Sequence, residues 1–267
     1  MARPGLPPEH PDRDEEPSHI PNAQRTRFWL TALVVGAQPR LRVAVAAPEA
    51  AARELERTVK DYGFKGAAIN GHIRGRYLDD SYFWPILESA EALGVPLYIH
   101  PTPPPQAVIE TSYTGNYAPE VAAQLAGAAW GWHIETAIHV LRLILSGAFD
   151  RYPKLQLVIG HLGETLPFML PRLNNSLSKE MTKLQRPMGA YLRENVYYTI
   201  SGFNFTPAFL DLWLQVGVDR VMFSADYPYG SMEAARSFLD QLPISPADKE
   251  RVAHGNAERL LRLAPAE

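Results

Sequence analysis

The chain has 267 residues, a formal net charge of −3 at pH 7 and no cysteine. This length suits one large α/β domain, because α/β barrels of about 250 residues are ordinary single domains. The absence of cysteine excludes disulfides, thiolate metal sites and a cysteine nucleophile, so a metal ion would need histidine or carboxylate ligands. The slightly acidic balance does not favour nucleic-acid binding, and no apolar run approaches the roughly 20 residues of a membrane span. We therefore expect a cytoplasmic protein that acts on a small molecule.

The N-terminal segment, residues 1–27, is predicted to be disordered or aberrant. Six prolines interrupt it, and the stretch from Asp12 to Glu16 is mostly charged. Beyond it, residues 40–46 (RLRVAVA) alternate well enough to predict a strand. We assign residues 28–267 to a single β/α barrel domain.

Helices and strands alternate regularly from residue 48 onward. Helices are predicted over 48–62, 80–93, 118–149, 173–194, 207–216 and 231–239, with two short ones near the C-terminus. Strands are predicted over 64–71, 95–101, 155–160, 196–203 and 220–228. In the long helix 118–149, the apolar face is predicted to be Ile134, Ile138, Leu141 and Leu145. A long connection, residues 102–117, is predicted to be a functional loop.

This alternation predicts a parallel sheet with helical crossovers, in the manner of a (β/α)₈ barrel. With residues 40–46 included, six strands are recognisable, so one or two strands of an eight-stranded barrel are missing at the N-terminus.

Three of the predicted strands end in a polar side chain suited to chemistry. They end at His100, at Gly160 followed by His161, and at Asp226. In α/β barrels the carboxyl ends of the strands meet at one face, which carries the active site. Taken singly, His100 reads as a hydrogen-bonded histidine and Asp226 as a helix cap; taken together, the three favour a site.

The donor types also predict roles. His100 and Asp226 suit zinc, manganese or iron(II), and two such ligands leave coordination positions open for catalysis. His161 is a candidate acid–base group, and Glu164, three residues on, could fix its tautomer. Glu164 could instead complement a helix dipole. Arg172 could offer a bidentate fork to a carboxylate, or be a solvated surface residue.

The other histidines divide by position. His133 and His139 lie six residues apart on one predicted helix, the wrong separation for shared ligation, so both are predicted to be structural. His72 follows a strand at the same barrel face and is a candidate substrate contact. His254 is predicted to be structural.

Several motifs resemble the amidohydrolase-2 family. They are LYIHP, VIGHLGE followed by LPR, FSADYPYG and GNAERLLRL, and they occur in family order within residues 48–263. The family includes aminocarboxymuconate-semialdehyde decarboxylase and γ-resorcylate decarboxylase. The resemblance implies a distorted (β/α)₈ barrel with one divalent metal ion, Zn²⁺ or Mn²⁺, and non-oxidative decarboxylation of an aromatic or unsaturated carboxylic acid.

The resemblance also implies roles residue by residue. His100 and Asp226 match metal ligands, His161 matches the catalytic histidine, and Glu164 matches its supporting carboxylate. Either Asp226 or His161 would deliver the proton that replaces the departing carboxyl group.

Two further matches concern the substrate and the assembly. Arg172 matches an arginine that reaches the neighbouring subunit's site, which implies a homodimer or higher homo-oligomer. Tyr229 matches a residue that lines the pocket for a small carboxylate substrate.

The N-terminus departs from the family pattern. Family members begin with a strand ending in HxH or ExH, which supplies two more metal ligands, and residues 1–47 contain neither motif in a strand. Two alternatives therefore stay open: a hydrolase that uses metal-activated water, and a truncated, inactive family member.

Overall fold

A computed structural model describes residues 47–263 of the chain. The predicted disorder of residues 1–27, the predicted strand at 40–46 and the question of the missing strands lie outside this range.

Twelve helices and five strands make up the described part. The helices are α1 (Pro48–Tyr62), α2 (Trp84–Leu93), α3 (Pro119–Ala126), α4 (Gly131–Leu145), α5 (Ala148–Arg151), α6 (Leu166–Ser176), α7 (Lys179–Thr182), α8 (Met188–Glu194), α9 (Thr206–Val216), α10 (Met232–Gln241), α11 (Pro246–Glu250) and α12 (Asn256–Leu261). The strands are β1 (Ala67–Asn70), β2 (Leu97–His100), β3 (Leu157–Ile159), β4 (Val196–Thr199) and β5 (Val221–Met222). Short helical turns occupy Ser81–Phe83, Gln106–Val108, Ile109–Tyr113, His161–Gly163, Val218–Arg220 and Arg251–Gly255.

The five strands form one parallel sheet in the order β1-β2-β3-β4-β5. Each strand pairs with the next one in sequence, as expected when every β/α unit returns by a right-handed crossover. Asn70 pairs with His100, and Ile99 pairs with Ile159, so the strands end at similar heights. The prediction of parallel β/α units is confirmed, and all five strands predicted between residues 64 and 228 are present.

Helix α1 shows how local sequence sets the element bounds. Pro48 occupies its first turn, where a missing N–H costs nothing, and Glu49 complements the positive end of the helix. Gly63 ends the helix at φ 68°, a left-handed conformation that glycine adopts without a Cβ penalty. The predicted bounds, 48–62, are confirmed.

The sheet is covered on both faces. Alternate residues such as Leu97, Ile99 and Leu157 belong to the large core beneath the helices. The intervening residues, Tyr98 and Val158 among them, form a second cluster, on which α12 also packs. Side chains that alternate between two buried faces explain why the strands read as continuous apolar runs.

The prediction of one long helix over 118–149 was wrong. The chain forms α3, α4 and α5 instead, separated by short breaks. The predicted apolar face was also wrong, because Ile138 and Leu145 are 42% and 41% exposed. Helix α4 buries polar side chains, His133 and Thr136 among them, together with Val140 on its inner face. Apolar spacing alone therefore misplaced the buried stripe.

The connection after β2 is more ordered than the predicted loop, since it contains the two helical turns between Gln106 and Tyr113. Among the described residues, no helix combines the length and apolar character needed to cross a membrane.

Candidate active site

The chain makes an unusual turn directly after β3. Every residue from His161 to Thr165 has a positive φ, between 50° and 92°. Left-handed backbone costs non-glycine residues of order 1–3 kcal/mol each, so the surroundings must hold the turn in place. Gly160 is required at its start, since a Cβ there would lie 2.8 Å from the Tyr98 hydroxyl. The turn brings Glu164 back beneath His161.

Glu164 binds two histidines at once. Its Oε1 accepts a hydrogen bond from His161 Nδ1 at 2.7 Å, and its Oε2 lies 2.5 Å from His133 Nδ1. The Glu164 side chain is fully buried, and both histidine side chains are nearly so. A carboxylate at Nδ1 accepts the Nδ1 proton and leaves His161 Nε2 for other partners; that Glu164 orients His161 during a reaction stays a prediction.

His133 comes from the first turn of α4. Its ring packs at 4.7 Å from the ring of His161, centroid to centroid, and Phe203 contacts both rings at 5.0 and 5.2 Å. Burial opposes a charge on His133, but the hydrogen bond to Glu164 and its negative charge outweigh burial and raise the pKa of His133. The sequence predicted a structural role for His133 and gave no indication of these contacts with Glu164 and His161.

Asp226 approaches His161 from the next strand but one. Its Oδ2 lies 4.0 Å from His161 Nε2. Burial raises the pKa of Asp226, while the nearby His161 and His100 act in the opposite direction. The residue has φ 60°, and its carbonyl accepts a hydrogen bond from Gly230 N at 2.8 Å. The tight turn after β5 thus aims this carboxylate at the site.

His100 ends β2 and is half-buried. Its Nδ1 lies 3.0 Å from the carbonyl oxygen of Pro101. Because a carbonyl only accepts, Nδ1 carries the proton and Nε2 keeps its lone pair. Metal-ligating histidines usually donate one ring N–H to a carbonyl or carboxylate in this way and bind the metal ion through the other ring nitrogen.

These donors can be tested against the chemistry of a divalent cation. His100 Nε2 and the half-buried Asp226 carboxylate supply one nitrogen and one oxygen donor, which suits zinc or manganese. His133, His161 and Glu164 also lie close enough together, within 4.8 Å, to hold an ion. Their facing atoms, however, are already bound to one another. His100 and Asp226 therefore stay the predicted metal ligands.

The three remaining predicted residues lie at the periphery. His72 is half-buried; its Nδ1 accepts from Gly75 N, and its Nε2 donates to the Pro103 carbonyl oxygen at 3.1 Å. Arg172 is exposed on α6. Tyr229 is 90% exposed on the turn after Asp226. Their roles toward a substrate stay predictions.

Sequence reasoning missed His133 and Phe203 as members of the site. A signal for His133 exists, since polar His133 and Thr136 are spaced three apart on the same side of α4 as Val140. Phe203 lies four residues after the end of β4, near the same sheet edge as His161, but nothing in its sequence context marks it.

Comparison with known proteins shows the family of this chain. A family model described as amidohydrolase matches residues 20–263. A gamma-resorcylate decarboxylase from Polaromonas sp. is 39% identical over 226 residues, covering 81% of this chain and 67% of the relative.

Two solved structures are similar as well. The 5-carboxyvanillate decarboxylase from Sphingomonas paucimobilis has a TM-score of 0.75 and 37% identity, over 82% of this chain and 64% of that one. A dihydroxybenzoic acid decarboxylase from Polaromonas sp., with bound manganese and the inhibitor 2-nitroresorcinol, has a TM-score of 0.76 and 35% identity, over 91% and 76%. The chain thus spans about two thirds to three quarters of the length of these relatives.

Proposed function

This chain belongs to the amidohydrolase family, and from that premise we propose that it is a metal-dependent, non-oxidative decarboxylase of an aromatic carboxylic acid. The observation that carries the proposal is the convergence of His161, Glu164 and Asp226 at the carboxyl edge of the sheet, where β2 also ends in His100. The three similar proteins described above are named as decarboxylases of aromatic acids.

His100 and Asp226 are the residues that would hold the divalent metal ion. We favour manganese or zinc, because the donors suit both and similar structures contain manganese. When bound, the metal supplies Lewis-acid stabilisation of negative charge on the substrate. Ligands beyond these two are needed for a typical catalytic site.

Decarboxylation requires that the protein side chains deliver one proton to the substrate. In decarboxylation the bond between the ring carbon and the carboxyl carbon breaks, CO₂ leaves, and the electron pair left on the ring carbon takes up a proton. His161 is held through Nδ1 by Glu164, so its Nε2, 4.0 Å from the Asp226 carboxylate, is free to exchange a proton. Asp226 or His161 is the immediate donor.

Partial burial strengthens this chemistry. The side chains of His161 and Asp226 are only 11% and 29% exposed, so water has limited access to them. Phe203 packs against the ring of His161 and limits its rotation. Fixed donors in a partly dry site need little rearrangement during the reaction.

We also propose that the chain forms a homodimer or higher oligomer. Phe168, which is 75% exposed, and Met169 lie on α6 beside the exposed Arg172, and apolar side chains beside an arginine suit a subunit interface. Sedimentation of a monomeric mass at micromolar concentration would contradict this part of the proposal. Tyr229 and His72 remain proposed substrate contacts, and the single-domain division and cytoplasmic location remain predictions.

Metal stoichiometry is the first test. The purified chain is dialysed against manganese or zinc, and elemental analysis is expected to find about one metal ion per chain. His100→Ala and Asp226→Ala should each lose that ion. His254→Ala removes a histidine that is not a predicted ligand, on the turn Arg251–Gly255, and should keep the ion. A folded protein that binds no metal would refute the proposed site and favour the inactive alternative.

Activity is tested on the metal-loaded protein with dihydroxybenzoates and 5-carboxyvanillate. Release of CO₂ with an aromatic product that gains solvent deuterium supports decarboxylation. A product that incorporates oxygen from labelled water, without CO₂, would instead show a hydrolase.

A further inference from the structure

Both ring nitrogens of His133 face oxygen atoms. Nδ1 lies 2.5 Å from Glu164 Oε2, and Nε2 lies 3.0 Å from the carbonyl oxygen of Ala128. A neutral imidazole carries one ring proton, so it can donate to only one of two acceptors. Two donated bonds require the imidazolium form, with Glu164 ionised.

The surroundings favour this charged form. Glu164 receives N–H groups from two histidines, an arrangement that stabilises a carboxylate. The acidic group bound to His133 is Glu164, and His161 packs against its ring. The His133 side chain is 9% exposed, so its bond to Glu164 competes little with water.

We propose that His133 is a positioning residue for the reaction: a buried imidazolium that holds the Glu164 carboxylate in the orientation that His161 requires. His133 Nδ1 fixes one oxygen of Glu164, and the other oxygen then accepts from His161 Nδ1. The inference rests on the proposed function only in that His161 is taken as an acid–base group.

The position of His133 shows that it acts through Glu164. Its two nitrogens are used by Glu164 and Ala128, so neither is available to a substrate. Without His133, Glu164 would be a buried carboxylate with one partner fewer, and it would either take up a proton or turn away from His161. In both cases the ring of His161 loses the contact that sets its tautomer.

The charge of His133 can be measured without any substrate. Nitrogen NMR of the metal-loaded protein at neutral pH is expected to show two protonated ring nitrogens for His133, assigned by their loss in His133→Asn. In Glu164→Gln the same histidine should become neutral, with one protonated nitrogen. A neutral His133 in the parent protein, with a single protonated ring nitrogen, overturns the inference.

A double-mutant cycle tests the positioning role. His133→Phe keeps a ring and removes both donors, and it is expected to lower kcat about 10–100-fold, the usual loss for a partner that orients a site residue. In the Glu164→Gln background the same change should alter kcat less than about threefold, because the residue it acts through is already altered. Equal losses in both backgrounds would refute the role.

His254→Phe is the matched control, since His254 also pairs with a glutamate, at 2.7 Å from Glu250, and neither residue belongs to the candidate site. It should leave kcat unchanged. If His133→Phe fails to fold by circular dichroism, His133→Asn replaces it in the cycle, since its amide keeps one donor. If the parent protein decarboxylates nothing, the proposed function fails, while the NMR result still decides the state of His133.

Discussion

Replacing Asn256 by leucine should reveal how the C-terminal helix supports the site. Asn256 is fully buried at the start of α12, and its Nδ2 donates to the carbonyl oxygens of Val218 and Val221 at 2.8 and 2.7 Å. Val221 begins β5, the strand that leads to Asp226. One amide therefore ties the last helix to the strand that delivers a site carboxylate.

The magnitude follows from the two carbonyl oxygens that lose their donor. Leaving a buried polar group unsatisfied costs about 1–3 kcal/mol, and leucine, which is close to asparagine in volume, regains part of this through apolar burial. We expect Asn256→Leu to lower the free energy of unfolding by about 2–4 kcal/mol, a large part of the 5–15 kcal/mol typical of a domain.

Urea unfolding followed by far-ultraviolet circular dichroism measures this change. Asn116→Leu, at an exposed position after the turn Ile109–Tyr113, is the control, and it should stay within about 0.5 kcal/mol of the parent. An Asn256→Leu protein equally close to the parent would refute the reasoning, because the two hydrogen bonds would then contribute nothing.

Two further predictions concern pH and backbone space. Burial lowers the pKa of His139 to about 3, with Arg142 acting in the same direction, so the folded pKa lies below the unfolded value. As the pH drops from about 6.5 toward 3, His139 takes up a proton in the unfolded chain but not in the folded one, so the free energy of unfolding falls. Between pH 7.5 and pH 5 the free energy of unfolding is expected to fall by about 2 kcal/mol. Urea unfolding at both pH values should show that His139→Gln loses less unfolding free energy than the parent between them. An equal loss in the variant would contradict the assignment of this pH dependence to His139. In the turn after β5, a Cβ at Gly230 would lie 2.0 Å from the Ala225 carbonyl oxygen, so Gly230→Ala should displace Asp226 and weaken metal binding in the elemental assay. Gly255→Ala, where the nearest atom is 3.6 Å away, should bind metal normally, and equal binding by both variants would exclude the clash.

Much of the fold was predictable because the strands are buried on both faces. Leu157 to Ile159 read as a strand for that reason, and the polar residues that follow such strands were predicted to meet at one edge. The 4.0 Å approach of His161 and Asp226, 65 positions apart along the chain, confirms that prediction for this pair.

The contacts of His133 could not be predicted in the same way. Helical spacing indicates only partners three or four residues apart on one helix, whereas the partner of His133 is Glu164, on the turn beyond β3. The left-handed conformation from His161 to Thr165 was equally hidden, because only Gly163 among these residues favours it. Both features depend on packing between separate elements.

The consecutive order of the strands has a consequence for evolution. The site residues come from several β/α units: His100 ends β2, His161 and Glu164 follow β3, and Asp226 follows β5. The segments after the strands, such as Gln106–Val108 and Ile109–Tyr113, lie outside the sheet itself. Mutation can therefore reshape one connecting segment while the pairing of β1 to β5 is preserved. Proteins with this fold can therefore change their specificity among aromatic acids by altering one connecting segment at a time, without loss of the folded core.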